Sequence, residues 1–371
     1  MPLKLKAILA GVLFILIVGG TWFYLGQEQI ALQQAQAELI ASAHLKVDEI
    51  TQWRARGLAD AAVLAESPFF IEDVQKWLAD SQAVDGEPIL SRFRSMQTYY
   101  HYNNLILVDS AGNARLGLPA VQSEVLPPSL VQAVVEAIQQ RKPILNDLHL
   151  DPGSQTPKIE FIAPLFAKQG SESIPVGAVV LQNDASQYLF PLIQSWPTTN
   201  QSAETLLIRQ DGEDVLYLND LRFQKDTALK LRIPLSRTNV PAVMALLGHE
   251  GVVQGKDYRG EAVLAYLAAI PDSPWFIVAK IDSQEALSAW RERSSLILIL
   301  LLGLGVATIA GVGMLWQGDA AARYLALFQS EAAQRESEAR YATTLMSIGD
   351  GVIATDETGR VEFMNPVAEA L

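Results

Sequence analysis

Two long runs of apolar residues are the strongest feature of the hydrophobic pattern. Residues 7–25 and 296–316 contain no charged side chain. As α-helices they would be about 28 and 31 Å long, which matches the roughly 30 Å hydrocarbon core of a bilayer. We therefore predict transmembrane helices at 7–25 and 294–316. The alternative for the first run is a cleaved signal peptide, but no small-x-small cleavage site follows it directly.

Basic residues near the ends of the two runs predict the orientation in a membrane. Lys4 and Lys6 precede the first run, and arginines are frequent after the second. Lysine and arginine accumulate on the cytoplasmic side of membrane proteins. We therefore expect residues 1–6 in the cytoplasm and residues from about 26 to 293 on the outer side.

An apolar stripe with helical spacing follows the first run. It predicts a long helix over residues 27–66, continuous with the span, because apolar residues recur every three or four positions. Ser67 and Pro68 are expected to end this helix. The stripe fits two arrangements, pairing with a second copy in a dimer or packing on its own domain. Its members are Leu32, Ala35, Leu39, Ala43, Val47, Ile50 and Trp53.

The pattern of the middle of the chain occurs twice. An apolar strand, an Asp/Gly turn and a returning strand are predicted at 105–118 and again at 205–218. Two further strands close each segment, at 159–184 and at 263–282. The repetition indicates two tandem units of similar structure.

Helical patterns lie inside each repeat, at 126–140 and 240–247. Sheets with helices in this order predict an α+β fold with an antiparallel sheet in each unit. We assign 67–195 to the first module and 196–293 to the second.

A third strand-turn-strand pattern begins after the second apolar run. Residues 317–346 form the predicted helical connector, either a weak two-helix coil or a solvated single helix. Residues 347–371 read again as strand, turn and strand, and the sequence stops at Leu371 before a closing hairpin. Because two strands cannot bury a core, we expect this to be the front of a longer protein.

Composition and charge exclude several functions. The net charge is −13, from 28 basic and 41 acidic side chains, whereas nucleic-acid binding needs a basic surface. The sequence has no cysteine, which excludes disulfides, thiolate nucleophiles and cysteine-bound zinc. The four histidines lack metal-site spacing and no catalytic motif occurs. We therefore expect no metal, no cofactor and no catalytic residue in these 371 residues.

Several segments of the two modules resemble a known family. The first module contains LILVDSAGN, IEFIAPLF and VGAVVLQND; the second contains ETLLIRQDGEDVLYLN, GVVQGKDYRGEAVLAYLAAI and SPWFIVAKID. In this order they resemble the double Cache (dCache) sensors of bacterial membrane receptors. The tail, with SIGDGVIATD and the Asn365-Pro366 pair, is similar to the start of a cytoplasmic PAS domain of the S-box kind. The resemblance implies a two-pass inner-membrane protein with two PAS-like periplasmic modules, membrane-distal and membrane-proximal.

The resemblance also implies a small-molecule ligand in the distal module. The candidate binding residues are polar or aromatic and lie on or beside its strands: Tyr99, Tyr100, Asp147, His149, Phe161 and Asp184. Related amino-acid sensors have an aspartate at the position of Asp184 that contacts the ligand's ammonium. The alternative is that Asp184 caps the next helix, as we expect of Asp282 in the proximal module. The Arg-x-Trp-Tyr pattern of the amino-acid-binding members is absent between Arg115 and Phe161, which argues against an α-amino acid, and the two tyrosines fit core packing equally well.

This organisation predicts a receptor that passes a periplasmic signal to a cytoplasmic output. The expected output, beyond Leu371, is a sensor histidine kinase acting on a response regulator. A cyclic-di-GMP cyclase or phosphodiesterase, acting through a nucleotide second messenger, is the alternative. A membrane-anchored scaffold that binds a periplasmic protein is an alternative of another class. We expect a homodimer, because the striped helix, the second span and the connector are all compatible with parallel pairing.

Overall fold

The computed structural model describes residues 3–119, 126–196 and 200–371. These divide into a unit of Glu28–Arg291 and a unit of Met1–Gln27 with Glu292–Leu371. The helices are α1 (Leu3–Ala65), α2 (Pro68–Ala79), α3 (Glu87–Tyr100), α4 (Pro128–Gln140), α5 (Leu189–Gln194), α6 (Pro241–Leu246), α7 (Ser283–Ala286), α8 (Ser288–Ser347) and α9 (Pro366–Ala370). The strands are β1 (Asn104–Asp109), β2 (Ala114–Leu118), β3 (Ile144–Leu150), β4 (Pro157–Gln169), β5 (Glu172–Asp184), β6 (Glu204–Asp211), β7 (Asp214–Tyr217), β8 (Arg232–Pro234), β9 (Gly251–Lys256), β10 (Ala262–Ala269), β11 (Trp275–Asp282), β12 (Ile353–Thr355) and β13 (Val361–Met364).

The apolar stripe of α1 packs on the chain's own sheets. Helix α1 contains the first apolar run and continues through the stripe without a break. Leu39 and Ala43 are buried against the second sheet, and Ile50 and Trp53 belong to the core around the first. The helix ends just before Pro68, which occupies the first turn of α2, where a missing N–H costs nothing. The stripe thus packs on its own domain, and its pairing with a second copy stays a prediction.

Two antiparallel sheets with equivalent strand order form the Glu28–Arg291 unit. The first has the order β2-β1-β5-β4-β3, and the second has β8-β7-β6-β11-β10-β9. In each, the last strand of the repeat pairs with its first strand, so the closing strand is central. The opening hairpins turn at Gly112 and Gly212, whose φ angles of 89° and 62° favour glycine. The prediction of helices with antiparallel sheets is confirmed.

Side chains alternate between the two faces of the first sheet. On one face, Ile106 and Val180 pack against Leu130 and Val134 of α4. The opposite face packs against α1, α2 and α3 in a core that continues into the second sheet as far as Trp275. Helix α1 therefore stabilises both sheets by burying apolar area from each of them.

The other unit contains the two apolar runs and the third hairpin. By length and composition, α1 and α8 each contain a stretch able to cross a membrane, and neither stretch is buried within the described chain. An added Cβ at Gly20 would lie 2.8 Å from a Leu301 methyl, so the two helices pack closely there. Strands β12 and β13 pair antiparallel. The Asn365 side chain supports them, accepting from the Val352 and Ala368 amides and donating to the Asp350 carbonyl.

Candidate ligand-binding site

Three of the six candidate residues line one cavity, and three lie elsewhere. Tyr99, Tyr100 and Phe161 border a cavity of about 270 Å³ in the Glu28–Arg291 unit. It lies between α1, the end of α3 with the loop that follows, and strands β4 and β5. Its full lining is Trp53, Arg56, Gly57, Asp60, Tyr99, Tyr100, His101, Tyr102, Phe161, Asn183 and Tyr188.

A left-handed residue at the end of α3 arranges the tyrosines. His101 has a φ of 62°, so the chain leaves the helix axis abruptly. Tyr102 then enters the core, whereas Tyr99 and Tyr100 stay 77% and 53% exposed at the edge of the cavity. The two tyrosines are therefore pocket-edge residues and not core residues.

Aromatic rings form most of the cavity wall. Phe161 meets Trp53 edge-on at 5.6 Å between ring centroids and Tyr102 at 6.3 Å. Tyr188 stacks on Trp53 at 6.2 Å. Such pairs stabilise one another beyond the area they bury, so the wall is a preformed surface.

Gly57 lets the Phe161 ring reach α1. A Cβ added at this position would overlap three ring carbons of Phe161. Any larger residue would push the helix from the strand or turn the ring into the cavity. Gly57 is thus the contact point between helix and sheet.

The cavity contains one carboxylate and one amide. The Tyr102 hydroxyl donates to Asp60 Oδ2 at 2.8 Å. Burial raises the pKa of Asp60, although the Tyr102 hydrogen bond and the nearby Arg56 charge act against the increase. Asn183 is only 9% exposed, and its side chain has no hydrogen-bond partner among the described residues. The site thus combines an aromatic wall, a negative charge and an unpaired amide.

Asp184 lies on the opposite face of the first sheet. Its position alternates with that of Asn183, and its carboxylate accepts hydrogen bonds from the Ser186 amide at 2.9 Å and the Ser186 hydroxyl at 2.5 Å. These local bonds form a turn after β5. They are not the helix cap considered for Asp184, because the N-cap residue of α5 is Tyr188. The carboxylate is not among the residues lining the cavity.

His149 belongs to a buried polar cluster near the edge of the same face. The cluster centres on Glu160, which accepts from Asn146 and Gln182 at 2.9 Å each. His149 Nε2 is 3.6 Å from Glu160, and its Nδ1 is 3.0 Å from the Asp147 carbonyl. Burial raises the pKa of Glu160, while His149 and the two amides favour its charged form. The partners satisfy the carboxylate without a ligand.

Asp147 joins the two sheets. It is on β3, and its carboxylate accepts from the indole N–H of Trp275 on β11 at 2.8 Å and forms an ion pair with Arg209 on β6. Arg54 of α1 lies over the Trp275 ring at 5.2 Å. These contacts place Asp147 at the junction of the sheets, outside the cavity.

The second sheet contains a buried ion cluster. Lys280 Nζ lies 2.9 Å from Asp257 and 3.0 Å from Glu204, and it is fully buried. Asp282 is at the start of α7, as expected, but its side chain makes no capping bond and instead pairs with Arg259. The cluster supplies every charge with a partner of opposite sign.

The sequence did not indicate several residues of the cavity. Trp53 was assigned to the stripe, and Asp60, Asn183 and Tyr188 had no motif to mark them. Gly57 offered one signal, because a glycine inside a predicted helix often marks a close approach of another element.

Three solved structures are reported as similar to this chain. The ligand-binding domain of Mlp24 with asparagine is 16% identical, with a TM-score of 0.48, and covers 70% of this chain and 98% of its own. The ligand-binding domain of the Pseudomonas fluorescens chemoreceptor CtaA with L-isoleucine is 15% identical, with a TM-score of 0.44 and coverages of 71% and 98%. The ligand-binding domain of the Pseudomonas aeruginosa PAO1 amino acid chemoreceptor PctC with GABA is 15% identical, with a TM-score of 0.43 and coverages of 67% and 99%. No protein-family model and no curated protein matches the sequence.

Proposed function

We propose that this chain is the sensing part of a two-pass receptor of the bacterial inner membrane. One observation carries the proposal: a two-sheet unit with a ligand-sized cavity is inserted between two helices apolar enough to cross a membrane. Residues 26 to 293 are then periplasmic, with a distal module at 67–195 and a proximal module at 196–293. A small molecule binds in the distal module.

The signal passes along the two long helices. A ligand shifts the equilibrium between two conformations only by its difference in affinity for them, and about 1.4 kcal/mol gives a tenfold shift. Helix α1 contains both the first apolar run and cavity residues such as Trp53, so a change at the cavity acts on the membrane helix directly.

The cytoplasmic part consists of the connector at 317–346, a PAS start at 347–371 and an output domain. We propose a histidine kinase as the output, with a cyclic-di-GMP enzyme as the alternative. The aromatic cavity favours a small-molecule ligand over the protein partner of a scaffold. Sequencing beyond codon 371 distinguishes the outputs, because each has its own motifs.

The receptor function is tested on the full chain in bacterial membranes. The sequence has no cysteine, so Gln334→Cys in the exposed part of α8 supplies a single reporter. We expect at least one pool of periplasmic small molecules to change its maleimide labelling rate. The same pool should leave Glu172→Cys, in the exposed β4–β5 turn, unaffected. No change with any pool would contradict a transmembrane signal.

Dimerisation is tested at a position that the fold leaves accessible. Positions 39 and 43 are buried against the second sheet, so a cysteine there would be shielded. Glu38 is exposed on the same helix. For a parallel dimer we expect Glu38→Cys to crosslink between copies in membranes, and a purely monomeric product would refute the homodimer.

A further inference from the structure

We infer that the aromatic cavity binds a small organic ammonium compound, with Asp60 as its counter-charge. The binding claim rests on the cavity alone, and its role in signalling rests on the proposed receptor function.

Asp60 lines the cavity and is only partly buried. Only one of its carboxylate oxygens accepts a hydrogen bond in the described part of the chain, from Tyr102. A partly buried carboxylate among aromatic rings is stabilised by a cation. Arg56, one turn earlier on α1, borders the cavity but is exposed and donates to its own helix at Gln52. His101 is the other titratable group that can become positive on the lining.

The aromatic wall of the cavity favours a cationic ligand over a neutral one. Ammonium groups are attracted to the faces of tryptophan, tyrosine and phenylalanine within about 6 Å of the ring centroid. Trp53, Tyr102, Phe161 and Tyr188 surround the cavity, and Tyr99 and Tyr100 edge it. The volume of about 270 Å³ is below the usual 300–1,000 Å³ of drug-sized pockets, which limits the ligand to a small molecule.

Asn183 gives the cavity a second polar anchor. Asn183 lines the cavity, and its side-chain amide is accessible there rather than fully buried. Its oxygen could accept from a primary ammonium, and its N–H could donate to a ligand oxygen. The ligand ammonium is thereby assigned to the α1 face of the sheet, at Asp60, and not to the opposite face, at Asp184.

Choline and n-butylamine are the probes, and 3,3-dimethyl-1-butanol is the control. The alcohol has the shape of choline without its charge. Full-length protein in detergent is titrated calorimetrically with each compound. We expect choline or n-butylamine to bind at least tenfold more tightly than the neutral alcohol. Which of the two binds better separates a methylated from a primary ammonium ligand.

Substitutions locate the binding site. We expect Asp60→Asn to weaken ammonium binding at least tenfold, about 1.4 kcal/mol, because it removes the charge but keeps the shape. Asp48→Asn changes an exposed acid on the same helix and should leave the affinity unchanged. Asp184→Asn should also leave it unchanged. A several-fold loss in Tyr188→Leu, which removes a partly exposed ring, would support the aromatic contribution.

Three results would overturn the inference: no binding of either ammonium probe at millimolar concentration, equal binding of the neutral alcohol, or a loss of binding in Asp184→Asn but not in Asp60→Asn. Ammonium binding that leaves the labelling of Gln334→Cys unchanged supports the site and counts against the receptor function. Conversely, a labelling change with non-ammonium pools alone supports the receptor and refutes this ligand class.

Discussion

Single residues make the two sheets chemically different at equivalent positions. Asn104 pairs with Gln182 in the first sheet, and Glu204 pairs with Lys280 in the second. The second sheet thus holds its own ammonium between two carboxylates, and the Tyr258 ring lies 5.1 Å from it. The first has neutral amides there, and its open cavity lies on the other face. In the second sheet, Lys280 therefore fills the face that corresponds to the Gln182 side of the first sheet, opposite to the side of the cavity.

Removing Lys280 tests how far this cluster stabilises the fold. Lys280→Met leaves Glu204 and Asp257 buried beside each other without the lysine, which costs about 3–5 kcal/mol of unfolding free energy. Lys256→Met replaces an exposed lysine on β9, at the edge of the same sheet, and should change stability little. Thermal unfolding of the full chain in detergent measures both. Equal stability of the two variants would mean that the cluster is not stabilising.

The same cluster gives a pH dependence of known sign. Burial by itself would raise the pKa of Asp257, but Lys280 and Arg259 hold it below its usual value. A carboxylate with a lowered pKa contributes stability above its unfolded pKa and loses it as the pH falls. The loss of unfolding free energy caused by Lys280→Met should therefore be smaller under acidic conditions, because Asp257 is then protonated in the variant.

The pKa of Asp60 is shifted in the opposite direction to that of Asp257. Burial raises it, and the Tyr102 hydrogen bond offsets part of the increase. Ammonium binding should be lost as the pH falls through that pKa, with Arg56 and His101 as the other charged groups facing the site. Tyr102→Phe keeps the ring and removes the bond, so the midpoint of the loss should move to higher pH. Tyr99→Phe is the matched control. Choline affinity measured against pH detects the shift, and an unchanged midpoint would exclude the Tyr102–Asp60 coupling.

Among the elements, α1 connects the most parts of the molecule. Its first segment is apolar enough for a membrane, and its later turns bury residues against both sheets. The close contact at Gly57 fixes its position on β4. The same continuous helix therefore contains both a membrane-length apolar segment and residues that line the cavity.

Gly57→Ala tests this contact. The added methyl group overlaps the Phe161 ring, so we expect a loss of about 1–3 kcal/mol in unfolding free energy, although alanine favours a helix. Gly26→Ala on the same helix has no heavy atom within 4 Å of its new Cβ and should cost nothing. The double variant Gly57→Ala/Phe161→Leu should recover part of the loss. If Gly57→Ala were as stable as the parent, the helix-strand contact would not be tight.

At the scale of the whole molecule, the receptor proposal depends on membrane topology. We expect Glu172→Cys to react with a membrane-impermeant maleimide in intact cells whose outer membrane is made permeable. Gln334→Cys should react only after the inner membrane is opened. Two lysines before the first run and several arginines after the second favour this orientation. Reversed labelling would place the two-sheet unit in the cytoplasm and end the receptor proposal.

Much of the fold could be predicted from the sequence because its signals are local. Uninterrupted apolar runs marked the two long helices, the three-four spacing marked the buried side of α1, and Asp/Gly turns marked the opening hairpins at Gly112 and Gly212. Hydrophobic period and turn chemistry depend on residues within a few positions of each other. Antiparallel pairing followed from the repetition of these hairpins.

By itself the sequence determined the helix and strand types, the two repeats and the absence of cysteine chemistry. Only the tertiary structure decided which candidates share a site. Phe161 lines the cavity, whereas Asp184 does not. A strand places alternate residues on opposite faces, and only the packing of the other elements decides which face has a cavity. Asp60 entered the site because the Gly57–Phe161 contact brings α1 onto β4, a contact between residues about a hundred positions apart in sequence. No local pattern contains that pairing.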